Sequence, residues 1–387
     1  MSEKPWLKHY EPGLPHTLRP YPEQTLLDVM SDTVRQRPEH TALIFKGARM
    51  SYARLEQLTN AFGAALMAQG VRKGDRVALL LPNSPQSIIA QLGVWKAGAI
   101  VCPLNSLYTP RELEAALNEI GAETVITLTR FYGKIKALQA RTSVRRVIAT
   151  NIKEYLPAHL RVLYTLAKEA KEGDRVSLQP GDLWWGDLLR QHADAPRPAV
   201  PLAIDDPAIL LFSGGTTGIT KGILLSNLNF NALAAQIIAT NPIWEPGDKM
   251  LAIMPMFHGF GLGIGIHTVL SQGARCILVP RFTPRSYAEL IAKHKPNFIA
   301  GVPTLYEALL RLDGLEKLDL SCLKGVFSGG DSLTVELKKR FDKFLKEHKS
   351  TIEVREGYGT TECVTASCLT SSRLASAAVP TAASSPA

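Results

Sequence analysis

A chain of 387 residues with 45% hydrophobic content is too long for one packed core and too apolar to be disordered. Its net charge of +9 suits anionic substrates, anionic lipid or nucleic acid, but no nucleic-acid module is legible. Five cysteines (Cys102, Cys276, Cys322, Cys363, Cys368) form no Cys-x-x-Cys pair, so neither a disulfide framework nor a zinc site is expected. Met1–Trp6 lacks an apolar signal core, and no apolar run reaches the roughly 20 residues that span a bilayer. A cytoplasmic protein is expected.

In chain order, residues 1–24 read as an N-terminal extension. A first α/β subdomain is expected over 25–171. Within it Arg76–Leu81 reads as a strand, Ser87–Lys96 as a helix and Ala99–Leu104 as the next strand. Arg111–Ile120 is helical; Thr124–Thr127 and Arg146–Ala149 are strands. Such alternation implies a parallel sheet covered by helices. After Pro157 the residues Leu160, Leu163, Tyr164 and Ala167 fall on one helical face, with Arg161, Lys168 and Lys171 nearby. Residues 155–171 therefore suit either packing on their own domain or peripheral contact with the inner face of a membrane.

Residues 172–207, rich in Asp, Pro and Trp, read as a connector. A second α/β subdomain follows over 208–370, with strands at Met250–Ile253, Arg275–Val279, Phe298–Gly301 and Gly325–Ser328. The fold class is α/β: two packed, mostly parallel sheets with covering helices, an incomplete β-rich subdomain and a disordered tail. The tail, 371–387, is low-complexity and cannot bury a core.

The densest chemistry follows the apolar run Ala208–Phe212. Ser213, Gly214, Gly215, Thr216, Thr217, Gly218, Ile219, Thr220, Lys221 and Gly222 form a loop of glycines, hydroxyls and one lysine. Glycine lets backbone N–H groups close around an anion, and lysine adds a mobile charge. A phosphate loop is expected, and with it a reaction that spends a nucleotide triphosphate. The Walker A spacing fails, because Lys221 is followed by Gly222. Gly259–Gly265 has glycine at every second position, which does not fit a dinucleotide fingerprint. That segment either opens a channel for an acyl tail or packs as a helix against the sheet. Val302–Tyr306 has the same two readings.

Ser213–Gly222 resembles the phosphate loop of the AMP-forming adenylating enzymes, which include acyl-CoA synthetases, luciferases and peptide-synthetase adenylation domains. Three further blocks occur in that family's order. Pro255–Gly261 resembles its Pro-x-Phe-His segment, and Val326–Asp331 its adenine-side Gly-Gly turn. Glu356–Glu362 resembles its Gly-Tyr-Gly-x-Thr-Glu segment. The resemblance runs from about Thr25 to about Thr370 and is nearest to long-chain fatty acyl-CoA synthetases.

That resemblance implies ATP-dependent activation of a carboxylate, with ATP and Mg²⁺ as cofactors and CoA as co-substrate. It implies catalytic roles for Lys221, Thr361, Glu362 and His258. Nucleotide binding falls to Ser213, Gly214, Gly215, Thr216, Thr217, Gly218, Gly329, Gly330, Asp331, Tyr358 and Gly359. Glu362 and Thr217 are the expected Mg²⁺ ligands. Thr361 suits the α-phosphate, and the Tyr358 ring suits adenine. Adenylation needs no proton-abstracting base, so His258 is expected to position substrate.

The family continues with a ribose-binding Asp, a hinge and a small domain carrying a lysine. None of these is legible in 1–387. The tail is therefore expected to reflect a frameshift or premature stop, or else to be the linker of a dedicated short protein. Ligase and non-catalytic ATP/acyl-binding remnant both stay open. A serine hydrolase is disfavoured, because no Gly-x-Ser-x-Gly elbow occurs. Acyl chain length and oligomeric state are not legible.

Overall fold

The computed structural model describes residues 4–213 and 221–370. Among the described residues fifteen strands build two sheets. In chain order they are β1 (Thr41–Phe45), β2 (Ala48–Ser51), β3 (Arg76–Leu80), β4 (Ile100–Pro103), β5 (Thr124–Leu128), β6 (Arg146–Thr150), β7 (Leu183–Trp184) and β8 (Pro207–Ser213). There follow β9 (Lys221–Ser226), β10 (Lys249–Ala252), β11 (Arg275–Leu278), β12 (Phe298–Gly301), β13 (Gly325–Ser328), β14 (Val354–Tyr358) and β15 (Cys368–Leu369).

The strands read from the sequence are present, with edges shifted by a residue or two. The helix read as Ser87–Lys96 begins at Pro85, because Ser84 caps it and proline suits a first turn. The helix after β4 likewise begins at Pro110, capped by Thr109 and Glu112 in a reciprocal box.

One sheet has the order β7-β6-β5-β3-β4-β8-β9, the other β15-β14-β13-β12-β10-β11-β1-β2. Among the described residues only β8–β9, β1–β2 and β14–β15 pair antiparallel. The sheets do not split the chain at the connector. The β1–β2 hairpin joins the second sheet beside β11, and the β8–β9 hairpin joins the first beside β4. The stretch read as a connector contains β7 on the edge of β6, and its Trp185 is fully buried against Phe62.

Strand side chains alternate between layers. In β3, Val77 and Leu79 enter the core between the sheets, while Ala78 and Leu80 enter an outer core. In β12, Phe298 and Ala300 face the central core and Ile299 the other outer core. Both faces are buried, so these strands read as unbroken apolar runs. The central layer holds the helices Tyr52–Ala68, Pro85–Lys96 and Asn227–Thr240 and the π-helical segment Phe260–Thr268. The helix Pro85–Lys96 is buried throughout. Its Lys96 ammonium, 2% exposed, is held by Glu56 at 2.7 Å, Asn60 at 2.6 Å and Thr59 at 2.8 Å.

His267 lies in the same layer, with Nε2 2.9 Å from Asn231 Oδ1. Burial pushes its imidazole down to about 4. The unfolded chain takes up this proton near the ordinary value of about 6.5, so the unfolded state binds it first on acidification. The contribution is intact above that value and is lost as pH falls toward 4. Between pH 7 and pH 5 the loss is about 2 kcal/mol. Urea unfolding of the parent and of His267→Gln at both pH values checks this. The parent should lose more stability than the variant by about that amount; equal losses would exclude His267 as the acid-sensitive group.

Candidate functional site

Strands β10, β12, β13 and β14 are parallel, so their C-terminal ends share one edge of the second sheet. That edge is where an open α/β sheet offers a crevice. The paired ends of the β8–β9 hairpin, Ser213 and Lys221, reach it from the first sheet. Between them lies a cavity of about 500 Å³.

One wall is polar. Ser213 ends β8 and Lys221 begins β9, paired across the hairpin, and both line the cavity. The loop between them includes Gly214, Gly215, Thr216, Thr217 and Gly218, which lie outside the described residues. Facing the hairpin is the turn Thr361–Cys363 after β14. Thr360, Thr361 and Glu362 line the cavity from there. The Glu362 carboxyl is held below the ordinary carboxylate range by its own backbone N–H and by the Thr360 hydroxyl, with a further contribution from the Lys221 charge. A lysine from one sheet and a carboxylate from the other thus share the mouth. Glu362 is exposed, so its ionised oxygens are free for a hard cation. Among the described residues no cluster of three or more metal-ligating side chains occurs. A magnesium ion would find one carboxylate here, Glu362, whose hard oxygens suit it.

The second wall is backbone. Gly329, Gly330, Gly357, Tyr358 and Gly359 line the cavity where β13 and β14 end. The Tyr358 ring stands at the rim, 68% exposed. Gly359 has no room for a side chain: a Cβ there would lie 1.4 Å from the Thr365 carbonyl oxygen. Asp331 stays outside the lining; it is exposed, and its Oδ1 accepts from the Ser332 N–H at 2.8 Å.

The third wall is apolar. Ile237, Phe260, Ile264, Phe327, Ala366 and Leu369 form it. Phe260 and Ile264 belong to the segment read as an acyl channel or a packed helix, and Phe327 to the Val326–Asp331 block. Ile237, Ala366 and Leu369 had no role in the sequence reading, since a strand or helix pattern does not say which apolar residue faces a cavity. His258 stands between this wall and the polar mouth. Its Nδ1 accepts from the Phe260 N–H at 3.2 Å, which assigns the ring proton to Nε2. The ring opens on the cavity, yet the surrounding protein removes enough water to push the imidazole below its ordinary range. That burial favours the neutral imidazole.

Two groups supporting this wall were also missed. Asn83 is buried between the sheets. Its amide donates to Met254 O at 2.8 Å and Ala252 O at 3.1 Å and accepts from Met256 N at 3.0 Å. It fixes the loop that carries His258. Ser328 lines the cavity, is 1% exposed, and its hydroxyl has no partner among the described residues.

The glycine-rich segment is a π-helical element with two kinds of glycine. A Cβ at Gly261 would lie 2.2 Å from Pro255 O, and one at Gly263 2.6 Å from a Leu233 methyl, so packing requires both. Gly265 has only ordinary contact at 4.0 Å. The same element lends Phe260 and Ile264 to the cavity, so packing and lining are both served. Val302–Tyr306 does not line it. Leu305 and Tyr306 lie in the outer core, and the Tyr306 hydroxyl donates to Phe327 O.

This arrangement matches a known family. The profile described as "AMP-binding enzyme" fits residues 30–385. A long-chain-fatty-acid–CoA ligase of Bacillus subtilis (strain 168) is 34% identical over 368 residues, 93% of this chain and 64% of the relative. A Mycobacterium tuberculosis ligase named for a methyl-dioxo-octahydroindenyl propanoyl group is 31% identical over 343 residues, 88% of this chain and 62% of that protein. The chain thus spans less than two thirds of these curated relatives. The crystal structure of a long-chain-fatty-acid-CoA ligase from Archaeoglobus fulgidus superposes with a TM-score of 0.80 at 22% identity, covering 95% of this chain and 70% of that one. Two mostly parallel sheets, a hairpin reaching from one to the strand ends of the other, and a sequence profile matched over nearly the whole chain place this protein in the AMP-binding enzyme family.

Proposed function

We propose that this cavity binds ATP beside a carboxylic acid and joins them as an acyl adenylate. The observation that carries the reading is the meeting, around one cavity, of the hairpin ends Ser213 and Lys221, the turn Thr361–Glu362 and an apolar wall. A carboxylate and a triphosphate repel each other, so a site that joins them must neutralise charge and fix orientation. Lys221 and the loop before it would hold the β- and γ-phosphates. Thr361 would donate to the α-phosphate. Tyr358 would lie against adenine, with Gly329 and Gly330 leaving room on the other side. Bound Mg²⁺ would supply positive charge to the phosphates, held by Glu362 and Thr217.

In this reaction a carboxylate oxygen attacks the α-phosphorus. The bond to the β-phosphate breaks, and pyrophosphate leaves with its electron pair. The attacking group is already an anion, so no base is required. The neutral His258 orients the carboxylate at the border of the polar and apolar walls. The sulfur of CoA would then attack the acyl carbon, lose its proton to water and expel AMP.

Ile237, Phe260, Ile264 and Leu369 support an acid with a hydrocarbon body, and a fatty acid is the class we propose. The Mycobacterium tuberculosis relative is named for a fused-ring acid, so family membership alone leaves the acid open.

Isothermal calorimetry of ATP binding, with and without Mg²⁺, tests the metal role. Glu362→Gln should abolish the Mg²⁺-dependent gain in affinity and leave the metal-free affinity unchanged. Equal gains in parent and variant would remove Glu362 from the metal site.

Turnover should separate from binding in the polypeptide of residues 1–387. The longer relatives carry sequence beyond the matched region, and the resemblance assigns a charge-stabilising lysine to it. Lack of one such preorganised contact costs about 10²–10³ in rate. Residues 1–387 alone should bind ATP–Mg²⁺ but form acyl-CoA from fatty acid, ATP and CoA at a negligible rate. Robust acyl-CoA formation by this polypeptide would overturn that division and make Lys221 the first residue to replace. Loss of ATP binding itself would remove the adenylation reading.

A further inference from the structure

The helix Ala158–Ala167 has no buried residue. Val162 and Leu163 are each 60% exposed and Leu166 is 81% exposed, one apolar strip on the outside of the first sheet's edge. This is not the face that periodicity picks out. Leu160 and Tyr164 turn inward and are half-buried, while Leu163 and Ala167 are exposed. The inner side is tied down. The Tyr164 hydroxyl donates to Asp174 and accepts from Arg130 at 3.1 Å. The helix is thus firmly seated, while none of the described residues covers its apolar strip.

The charges around the strip are one-sided. Every acidic residue from 154 to 174 is engaged with the protein. Glu154 accepts from Asn151 N at 2.9 Å, and Glu169 pairs with Lys153 at 2.6 Å. Glu172 pairs with Arg130 at 2.8 Å, and Asp174 accepts from Thr129 at 2.9 Å. The cations are not so engaged. Arg161 donates to the Glu154 carbonyl oxygen at 2.8 Å, and its charge also acts on the Glu154 carboxyl without forming an ion pair. The Lys168 and Lys171 ammonium groups, at the helix's C-terminal end, are exposed and have no partner among the described residues. The surface therefore combines free apolar area with free positive charge and no free carboxylate. A partner that supplies both a hydrocarbon layer and negative charge is an anionic phospholipid surface.

We propose that the Val162, Leu163 and Leu166 strip, with Arg161, Lys168 and Lys171, docks this protein peripherally on an anionic lipid bilayer. No helix among the described residues is long and apolar enough to cross a membrane, so the contact is interfacial. A strip this short holds weakly, and the electrostatic share makes the contact reversible and salt-sensitive. The inference does not depend on the adenylation reading, because docking needs neither ATP nor turnover.

Co-sedimentation of the 1–387 polypeptide with vesicles tests it. Vesicles of equal parts phosphatidylglycerol and phosphatidylcholine should capture the protein at low salt; phosphatidylcholine alone should not. Lys168→Glu with Lys171→Glu should weaken capture by about fivefold or more per replaced cation. Val162→Ser, Leu163→Ser and Leu166→Ser together should weaken it roughly tenfold. The replaced side chains are exposed, so circular dichroism and the melting temperature should match the parent and exclude misfolding. Absence of capture by the anionic vesicles, or equal capture of parent and serine variant, would overturn the proposal. So would a dimer in gel filtration that the serine variant dissolves without vesicle binding, since a second copy of the chain would then be the occupant.

Discussion

The exchange of hairpins between the two sheets is the constraint on which the rest depends. β1 lies hydrogen-bonded to β11, about 230 residues ahead of it in the chain, while β8 lies against β4 in the other sheet. Neither sheet is complete without a segment from the other half. The central layer of helices is trapped between them, and the helix Pro85–Lys96 within it is buried throughout. Asn83 joins the two halves again at the site, because an amide on the first sheet's side bonds to three backbone groups leading to His258. The β8–β9 hairpin is rooted in one sheet, and its ends Ser213 and Lys221 stand over the strand ends of the other. Any shift between the sheets must therefore change the distance from Lys221 to Glu362.

Close backbone approach holds the far side of the cavity. The chain after β14 folds back on itself, and Ser367 N donates to Tyr358 O at 2.8 Å. This brings Thr365 O to where a Gly359 side chain would be. Val364 sits in the middle with φ +67, a conformation that a β-branched residue rarely adopts. Such backbone strain costs on the order of 1–3 kcal/mol. Val364 is 1% exposed, wedged beside Gly263 of the π-helical segment, and its burial is of comparable size and offsets the strain. The turn presenting Thr361 and Glu362 is thus anchored by packing from below, which keeps a half-buried threonine and an exposed glutamate in place.

The polar lining of the cavity was largely legible, because it resides in residue types that are unusual where they stand. A lysine among glycines and threonines, and a Gly-Tyr-Gly followed by Thr-Thr-Glu, are the patterns from which an anion site was expected. Lys221, Tyr358, Thr361 and Glu362 come together around one cavity although 136 residues separate Lys221 from Gly357, the first of the second block. The positioning groups were not legible. Asn83 sits in a Pro-Asn-Ser-Pro turn that looks like any other, and Ser328 is one serine at the end of a strand. Their roles come from what stands opposite them, and a linear pattern holds no such record.

By itself the sequence determined the α/β class, most strand and helix cores and the polar half of the site. Those depend on local periodicity, capping residues such as Ser84 and Thr109, and short glycine-rich blocks, all of which act within a few residues. Tertiary structure alone decided which sheet each strand joins. β1–β2 and β8–β9 look no different from their neighbours in hydrophobicity, and their pairing partners lie far away in the chain. It also decided that the 172–207 stretch packs through Trp185, that Val302–Tyr306 belongs to the outer core, and that Leu163 faces outward while Leu160 faces inward. Burial is a property of two surfaces. A side chain's own apolarity shows that it can be covered, and only the rest of the fold supplies the surface that covers it.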